Sequence, residues 1–257
     1  MKVLGVLQAR YSSTRLPGKV LKPLQGFPML LHQIWRLERS SRLEKLVVAT
    51  SSDASDDLLA ATLEEHGVSV YRGSLEDVLD RFCQAARKYQ PEHVVRLTGD
   101  CPLTDPEVMD DVIALHLDGD YDYTSNCFPP TFPDGLDVEV VRFACLEEAW
   151  REATLPSERE HVTPFIHSQP HRYRQGNHRQ VDDLSGLRWT VDEPEDFAFV
   201  QSVYAQLYPV NPAFGMDEVL NLLKRQPELS QHNRKFQRNE GYAKSLEKDK
   251  PLLNDKE

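Results

Sequence analysis

Apolar, β-branched runs alternate along this chain with stretches in which large apolar residues recur at helical spacing. That alternation predicts an α/β fold with a mostly parallel central sheet flanked by helices. Residues 3–9 read as the first strand. Over 29–39, Leu30, Ile34 and Leu37 fall on one helical face. Residues 46–51 give a second strand, and Ser51-Ser52-Asp53 behind it supplies turn and capping chemistry for a helix reaching about His66. A short third strand at 68–71 precedes Ser74, the expected N-cap of a helix that buries Val78, Phe82 and Ala85. A fourth strand, 94–98, ends in Gly99-Asp100. Two more strands are expected between Tyr121 and Arg142, interrupted by Phe-Pro-Pro-Thr-Phe-Pro-Asp-Gly, and this interruption reads as a binding excursion within 121–180. Helical patterns return at 143–153 and 157–167, strand-like pieces at Tyr173 and 187–191, and helices from Glu193-Pro194 and over 218–225. The first 226 residues therefore read as one domain. Residues 227–257, polar and poor in large apolar side chains, read as a mobile tail or a partner-binding extension.

The length of 257 residues suffices for one such domain. A formal charge of -11 opposes general nucleic-acid binding, so locally clustered cations point to a small-anion site instead. Cys83, Cys101, Cys127 and Cys145 are widely spaced and form no Cys-x-x-Cys pair; they read as reduced thiols, with Cys101 a small apolar filler. No apolar run approaches the roughly 20 residues that span a bilayer, and the chain begins a strand at once, so the expected location is cytoplasmic with no membrane insertion.

The chemistry concentrates in three places. Leu7-Gln-Ala-Arg-Tyr-Ser-Ser-Thr-Arg-Leu-Pro-Gly-Lys19 sets Arg10, Arg15 and Lys19 behind a buried strand, with Ser12, Ser13 and Thr14 as shorter donors. Cations so placed suit a triphosphate. The spacing is neither a Walker A loop nor a Gly-x-Gly-x-x-Gly turn, so side chains carry more of the binding than a glycine nest does. Asp100, after a strand and a glycine, suits either a hard cation or a turn. Asp192 ends a strand-like run in Leu-Arg-Trp-Thr-Val-Asp-Glu-Pro-Glu-Asp-Phe, where Glu193, Glu195 and Asp196 also compensate a helix dipole. Arg72 and Gly73 can read a base edge or simply turn the chain. Asp137 and Glu139 share one strand face near Asp134, and His161 is a further contact candidate.

Ala9-Arg-Tyr-Ser-Ser-Thr-Arg-Leu-Pro-Gly-Lys19 resembles the signature loop of the cytidylyltransferases that make CMP-activated sugar acids, in particular the branch named for spore coat polysaccharide biosynthesis. Gly99-Asp100-Cys101-Pro102 and Val191-Asp192-Glu193-Pro194-Glu195-Asp196 are similar to two further elements of that family. The resemblance implies a Rossmann-like nucleotide-diphospho-sugar transferase fold and a Mg²⁺-dependent transfer of CMP from CTP to a sugar acid. It implies Arg10 and Arg15 on the triphosphate, Lys19 beside the transferring phosphate, and Asp100 and Asp192 on the metal. Ala9, Ser12, Ser13, Arg72 and Gly73 would then contact the nucleotide, and Asp134, Asp137, Glu139 and His161 the sugar; a homodimer is left open. Two rivals remain. A glycosyltransferase would use an Asp-x-Asp pattern, approximated by Asp118-Gly-Asp120 and Asp120-Tyr-Asp122, and a noncatalytic nucleotide-binding component of a polysaccharide-making complex would bind without turnover.

Overall fold

The structure, a computed structural model, describes residues 2–254. Its centre is β1 (Val3–Gln8), flanked in parallel by β4 (Lys45–Ser51) and β6 (His93–Thr98). β5 (Val70–Gly73) adds to β4 in parallel. On the other side β8 (Glu139–Arg142) pairs antiparallel with both β6 and β7 (Tyr123–Ser125), and β9 (Gln175–Asn177) closes the order β5-β4-β1-β6-β8-β7-β9. A small hairpin, β2 (Pro23–Leu24) and β3 (Phe27–Pro28), turns through Gln25 and Gly26 at φ 47° and 89°, the left-handed pair that a two-residue hairpin favours.

Side chains along β1 alternate between two cores. Leu4 and Val6 join the α3 (Val78–Arg87) and α5 (Phe143–Glu152) side through Leu79, Phe82, Leu146 and Ala149. Val3 and Leu7 join the opposite side, where α1 (Met29–Leu37), α2 (Asp57–Glu65) and α4 (Pro106–Asp118) contribute Leu30, Ile34, Leu59, Leu63 and Met109. A strand buried on both faces needs this three-layer packing. A third apolar cluster lies beside the sheet, where α8 (Pro194–Leu207) and α9 (Met216–Arg225) pack on Leu16, Phe132, Trp189 and Val191.

Four expectations need correction. Residues 187–191 form no strand of the sheet; their ladder pairing is a single parallel bridge from Arg188 to Asp134, and Val191 donates its amide to the carbonyl of Asp100 at 2.7 Å. There Gly135 sits at φ 110°, and an added Cβ would lie 2.6 Å from the backbone nitrogen of Thr190. The helix expected over 157–167 is two helices, α6 (Pro156–His161) and α7 (Pro164–His167), broken where Val162 takes φ 74°. The N-cap of α3 is Asp77, which accepts from the amide of Asp80 at 2.9 Å, while Ser74 Oγ accepts from the amide of Asp77. Finally, residues 227–254 do not trail from the domain. A 3-10 turn at Pro227–Gln231 buries Leu229, and α10 (Glu240–Asn254) docks on α6, where Asp249 accepts from the amide of Ser157 at 3.0 Å. No helix among the described residues is long and apolar enough to cross a membrane. All four cysteines are free and buried.

One buried group gives the fold an acid limit. His116 is fully buried between His93 (2.9 Å) and Thr124 (3.0 Å), and burial, with Arg142 and His93 nearby, pushes its pKa down to about 3. An unfolded histidine titrates near 6.5, so between pH 6.5 and 3 the unfolded chain binds the additional proton and stability falls as pH falls. Urea midpoints should therefore drop from pH 7 to pH 4.5, and His116→Gln should flatten that slope; equal slopes in the two chains would remove His116 as the cause.

Candidate active site

β1 and β6 end side by side, with Gln8 opposite Thr98, so the loops that follow them meet outside the carboxyl edge of the sheet. A Cβ added at Gly99 would lie 2.9 Å from that of Ala9, which is why the two loops approach so closely here. Between them, the segment near Arg188 and the C-terminal segment lies a cavity of about 360 Å³.

The first loop is fixed by its backbone. Tyr11 donates its amide to Asp56 at 2.6 Å, and its carbonyl accepts from Ser13 and Gly18, at 3.0 and 3.1 Å. Gly18, at φ 67°, then turns the chain so that Lys19 points inward. Lys19 is 9% exposed, and its Nζ donates to the carbonyl of Val191 at 2.7 Å, to Asp192 Oδ1 at 2.9 Å and to Asp100 Oδ2 at 3.4 Å. Burial disfavours that ammonium, but the two carboxylates outweigh it and raise its pKa. Asp100 mirrors this, for burial alone would raise its pKa, yet Lys19 and hydrogen bonds from Thr98 and Cys101 lower it. Arg15 turns to the same group, reaching Asp192 at 2.9 Å, Glu193 at 3.4 Å and Glu240 at 3.5 Å. Arg10 lines the cavity, is exposed, and makes no side-chain hydrogen bond or ion pair among the described residues.

Asp192 is held in place by a buried ion pair. Arg188 binds Asp196 through two bonds of 2.9 Å, and also meets Asp134 at 3.2 Å and Asp192 at 3.5 Å. Asp196, fully buried, accepts in addition from the backbone amides of Asp192 and Glu193. Asparagine 233, Asn233, donates to Asp196 and to the carbonyl of Arg188. The backbone at the start of α8 is thus tied to one guanidinium.

The far side of the cavity carries Asp134, Asp137, Glu139 and His161. Burial, reinforced by Asp137, pushes Asp134 up to about 7. Asp137 pairs with Arg238, and Glu139 is engaged by Arg96, by Tyr123 Oη at 2.6 Å and by Thr163. His161 bonds Ser245 at 3.0 Å, and burial, with Arg96 nearby, brings its pKa down to about 4.

Thus Ala9, Arg10, Ser13, Arg15, Lys19, Asp100, Asp134, Asp137, Glu139, His161 and Asp192 line one cavity. Ser12, Arg72 and Gly73 do not. Ser12 is exposed; Arg72 donates to the carbonyls of Ser51 and Asp53 and pairs with Asp57, and Gly73 accepts from Ser52. The strand-to-helix turn accounts for both. Sequence reasoning passed over Arg81, Arg96, His167, Arg188 and the segment 237–242, all of which line the cavity or pair with a residue that does. Arg188 stood inside a motif already singled out, as did Arg96 on the strand leading into Gly99-Asp100, whereas Arg81 follows helical spacing and carries no separate signal. Asp120 and Asp122 pair with Arg142 and lie outside the cavity, so the Asp-x-Asp pattern has no part in it.

Among the described residues no group of three or more His, Cys, Asp or Glu is placed to hold a metal. Asp100 and Asp192 nevertheless converge on one ammonium, and two carboxylates completed by ligand oxygens and water are a donor set that Mg²⁺ accepts. The residues fit that ion.

A family model described as Cytidylyltransferase matches residues 4–233. The chain is 36% identical over 235 residues to spore coat polysaccharide biosynthesis protein SpsF of Bacillus subtilis, covering 89% of this chain and 96% of that one. Among solved structures, a cytidylyltransferase from Leptospira borgpetersenii aligns with TM-score 0.85 at 34% identity, over 90% of this chain and 97% of that one. A CMP:2-keto-3-deoxy-manno-octonic acid synthetase complexed with CTP shares the fold, with TM-score 0.61 at 18% identity, over 80% of this chain and 99% of that one.

Proposed function

Since the chain belongs to the cytidylyltransferase family, we propose that it transfers CMP from CTP to a sugar acid, releasing pyrophosphate, in the assembly of a surface polysaccharide or glycan. The observation that carries this reading is Lys19, whose ammonium bonds both Asp100 and Asp192 while Arg10 and Arg15 line the same cavity. Cations for a triphosphate and carboxylates for a divalent ion thereby share one place.

In this reading an acceptor hydroxyl attacks the α-phosphorus and gives up its proton to water, a new P–O bond forms, and the bond to the bridging oxygen breaks with its electrons leaving on pyrophosphate. Arg10, with no side-chain partner among the described residues, and Arg15 bind the β- and γ-phosphates and neutralise the leaving group. Lys19, whose ammonium is held by Val191, Asp192 and Asp100, keeps a cation beside the α-phosphate and the two carboxylates in place. Asp100 and Asp192 would hold Mg²⁺, which supplies further charge neutralisation when bound. Asp134, Asp137 and His161 face the acceptor; Glu139, whose carboxylate is already engaged by Arg96, Tyr123 and Thr163, shapes that side rather than binding sugar directly. No covalent enzyme intermediate is needed.

The test is pyrophosphate release with CTP, Mg²⁺ and either 3-deoxy-manno-octulosonate or an N-acylneuraminate, with ATP, GTP and UTP as comparators. Release selective for CTP is the expected result. Binding of CTP with no release for any sugar acid would favour the noncatalytic reading, and nucleotide release from a nucleotide sugar without pyrophosphate would favour the glycosyltransferase.

A further inference from the structure

The C-terminal segment places an acidic side chain against the loop that faces phosphate. Glu240, the first residue of α10, points one carboxylate oxygen at Arg15 Nη1, 3.5 Å away, and the other accepts from the amide of Gln237 at 3.3 Å. It follows Asn239, whose φ of 61° turns the chain into the helix at this point. On one side the segment is pinned by Arg238, which pairs with Asp137 and donates to the carbonyl of Phe132. On the other, Ser245 bonds His161 and Glu160, and buried Asp249 accepts from Ser157. The backbone around Glu240 is therefore anchored, while the carboxylate itself is held by two long contacts, of 3.5 and 3.3 Å.

Three carboxylates crowd the Arg15 guanidinium, and they are not equivalent. Asp192 also serves Lys19, and its backbone is tied to Asp196. Glu193 belongs to the same tied helix start. Glu240 makes the longest contact, is about a third exposed, and comes from beyond residue 233, where the match to the family model stops. It is the partner that an incoming polyphosphate displaces at least cost. Resting on the reading of Arg15 as a triphosphate ligand, we propose that Glu240 is an internal competitor, occupying the phosphate-binding edge of Arg15 until a polyphosphate takes its place. The device restrains the loop in the free protein and weakens the binding of anions that offer Arg15 too little charge to displace a carboxylate.

Calorimetric titration of the full chain with sodium tripolyphosphate, and separately with CTP, tests this. Glu240→Gln should tighten both by roughly three- to ten-fold at low ionic strength, the gain shrinking in high salt as expected for a part-exposed charge. Glu195→Gln makes the same change of charge at a part-exposed site that pairs with Lys235 and does not line the cavity, and should leave both affinities unchanged. Glu240→Ser, which cannot reach Arg15, should repeat the gain. Unchanged or weaker binding in both Glu240 variants, an equal gain in Glu195→Gln, or no tripolyphosphate binding in any chain overturns the proposal. Tighter tripolyphosphate binding with no CTP binding would sink the cytidylyl reading and leave the competitor standing.

Discussion

Arg188→Met is expected to cost the fold about 3–5 kcal/mol, read as a lower urea midpoint at unchanged slope. Asp196 has no exposed surface, and Arg188 is its only cationic partner among the described residues. Removing the guanidinium also strips Asp134 of its cation and Asp192 of one of three. Breaking a buried pair by deleting one member leaves a charge that can neither hydrate nor pair, which is costlier than never having had the pair. Two results follow from that asymmetry. The double variant Arg188→Met with Asp196→Leu should recover much of the loss, and Arg188→Lys should recover little, since an ammonium cannot make two parallel bonds to one carboxylate while meeting Asp134. A loss below about 1 kcal/mol in the single variant would mean that the Arg188 cluster is not what fixes the start of α8.

Asp100→Asn should lower the rate of pyrophosphate release by about 10²–10³ or more, with the urea midpoint nearly unchanged. Asparagine keeps the shape and an oxygen for Lys19, which still holds Asp192 and the carbonyl of Val191, so the packing has little reason to move. What is lost is one of two formal charges available to a divalent ion. Titration with CTP alone should change little beside the fall in turnover, because Arg10 and Arg15 are untouched. Turnover at the parental rate would exclude Asp100 from the chemistry.

The architecture was readable because strand and helix periods differ. β1, β4 and β6 are apolar on both faces, and α1 repeats its large residues at three and four. The helix α4 was not among the expected elements, although Asp105-Pro106-Glu107 is a helix start, with Asp105 accepting from the amides of Glu107 and Val108. The run 187–191 misled for a physical reason. Trp189 and Val191 are buried, as in a strand, but they are buried against α8 and α9 rather than in the sheet. The site was legible where several cations or carboxylates stood together in sequence, as in the loop of Arg10, Arg15 and Lys19. It was illegible where polar residues act singly. Arg238, Asn233 and Glu240 look like any polar tail, and only tertiary contact shows that they pair with Asp137, Asp196 and Arg15. Arg72 failed in the opposite sense, because a guanidinium beside a crevice also serves to cap a turn.

The docking of α10 on α6 bears on how the protein is handled. A purification handle attached behind α10 would load the helix whose first residue meets Arg15, so steric drag there would register as altered kinetics rather than as misfolding. Trimming to residue 233 would deprive Asp137 of its guanidinium and open one flank of the chamber to bulk water. Sluggish turnover in such shortened or tagged preparations would then report a missing wall, not a wrong sugar.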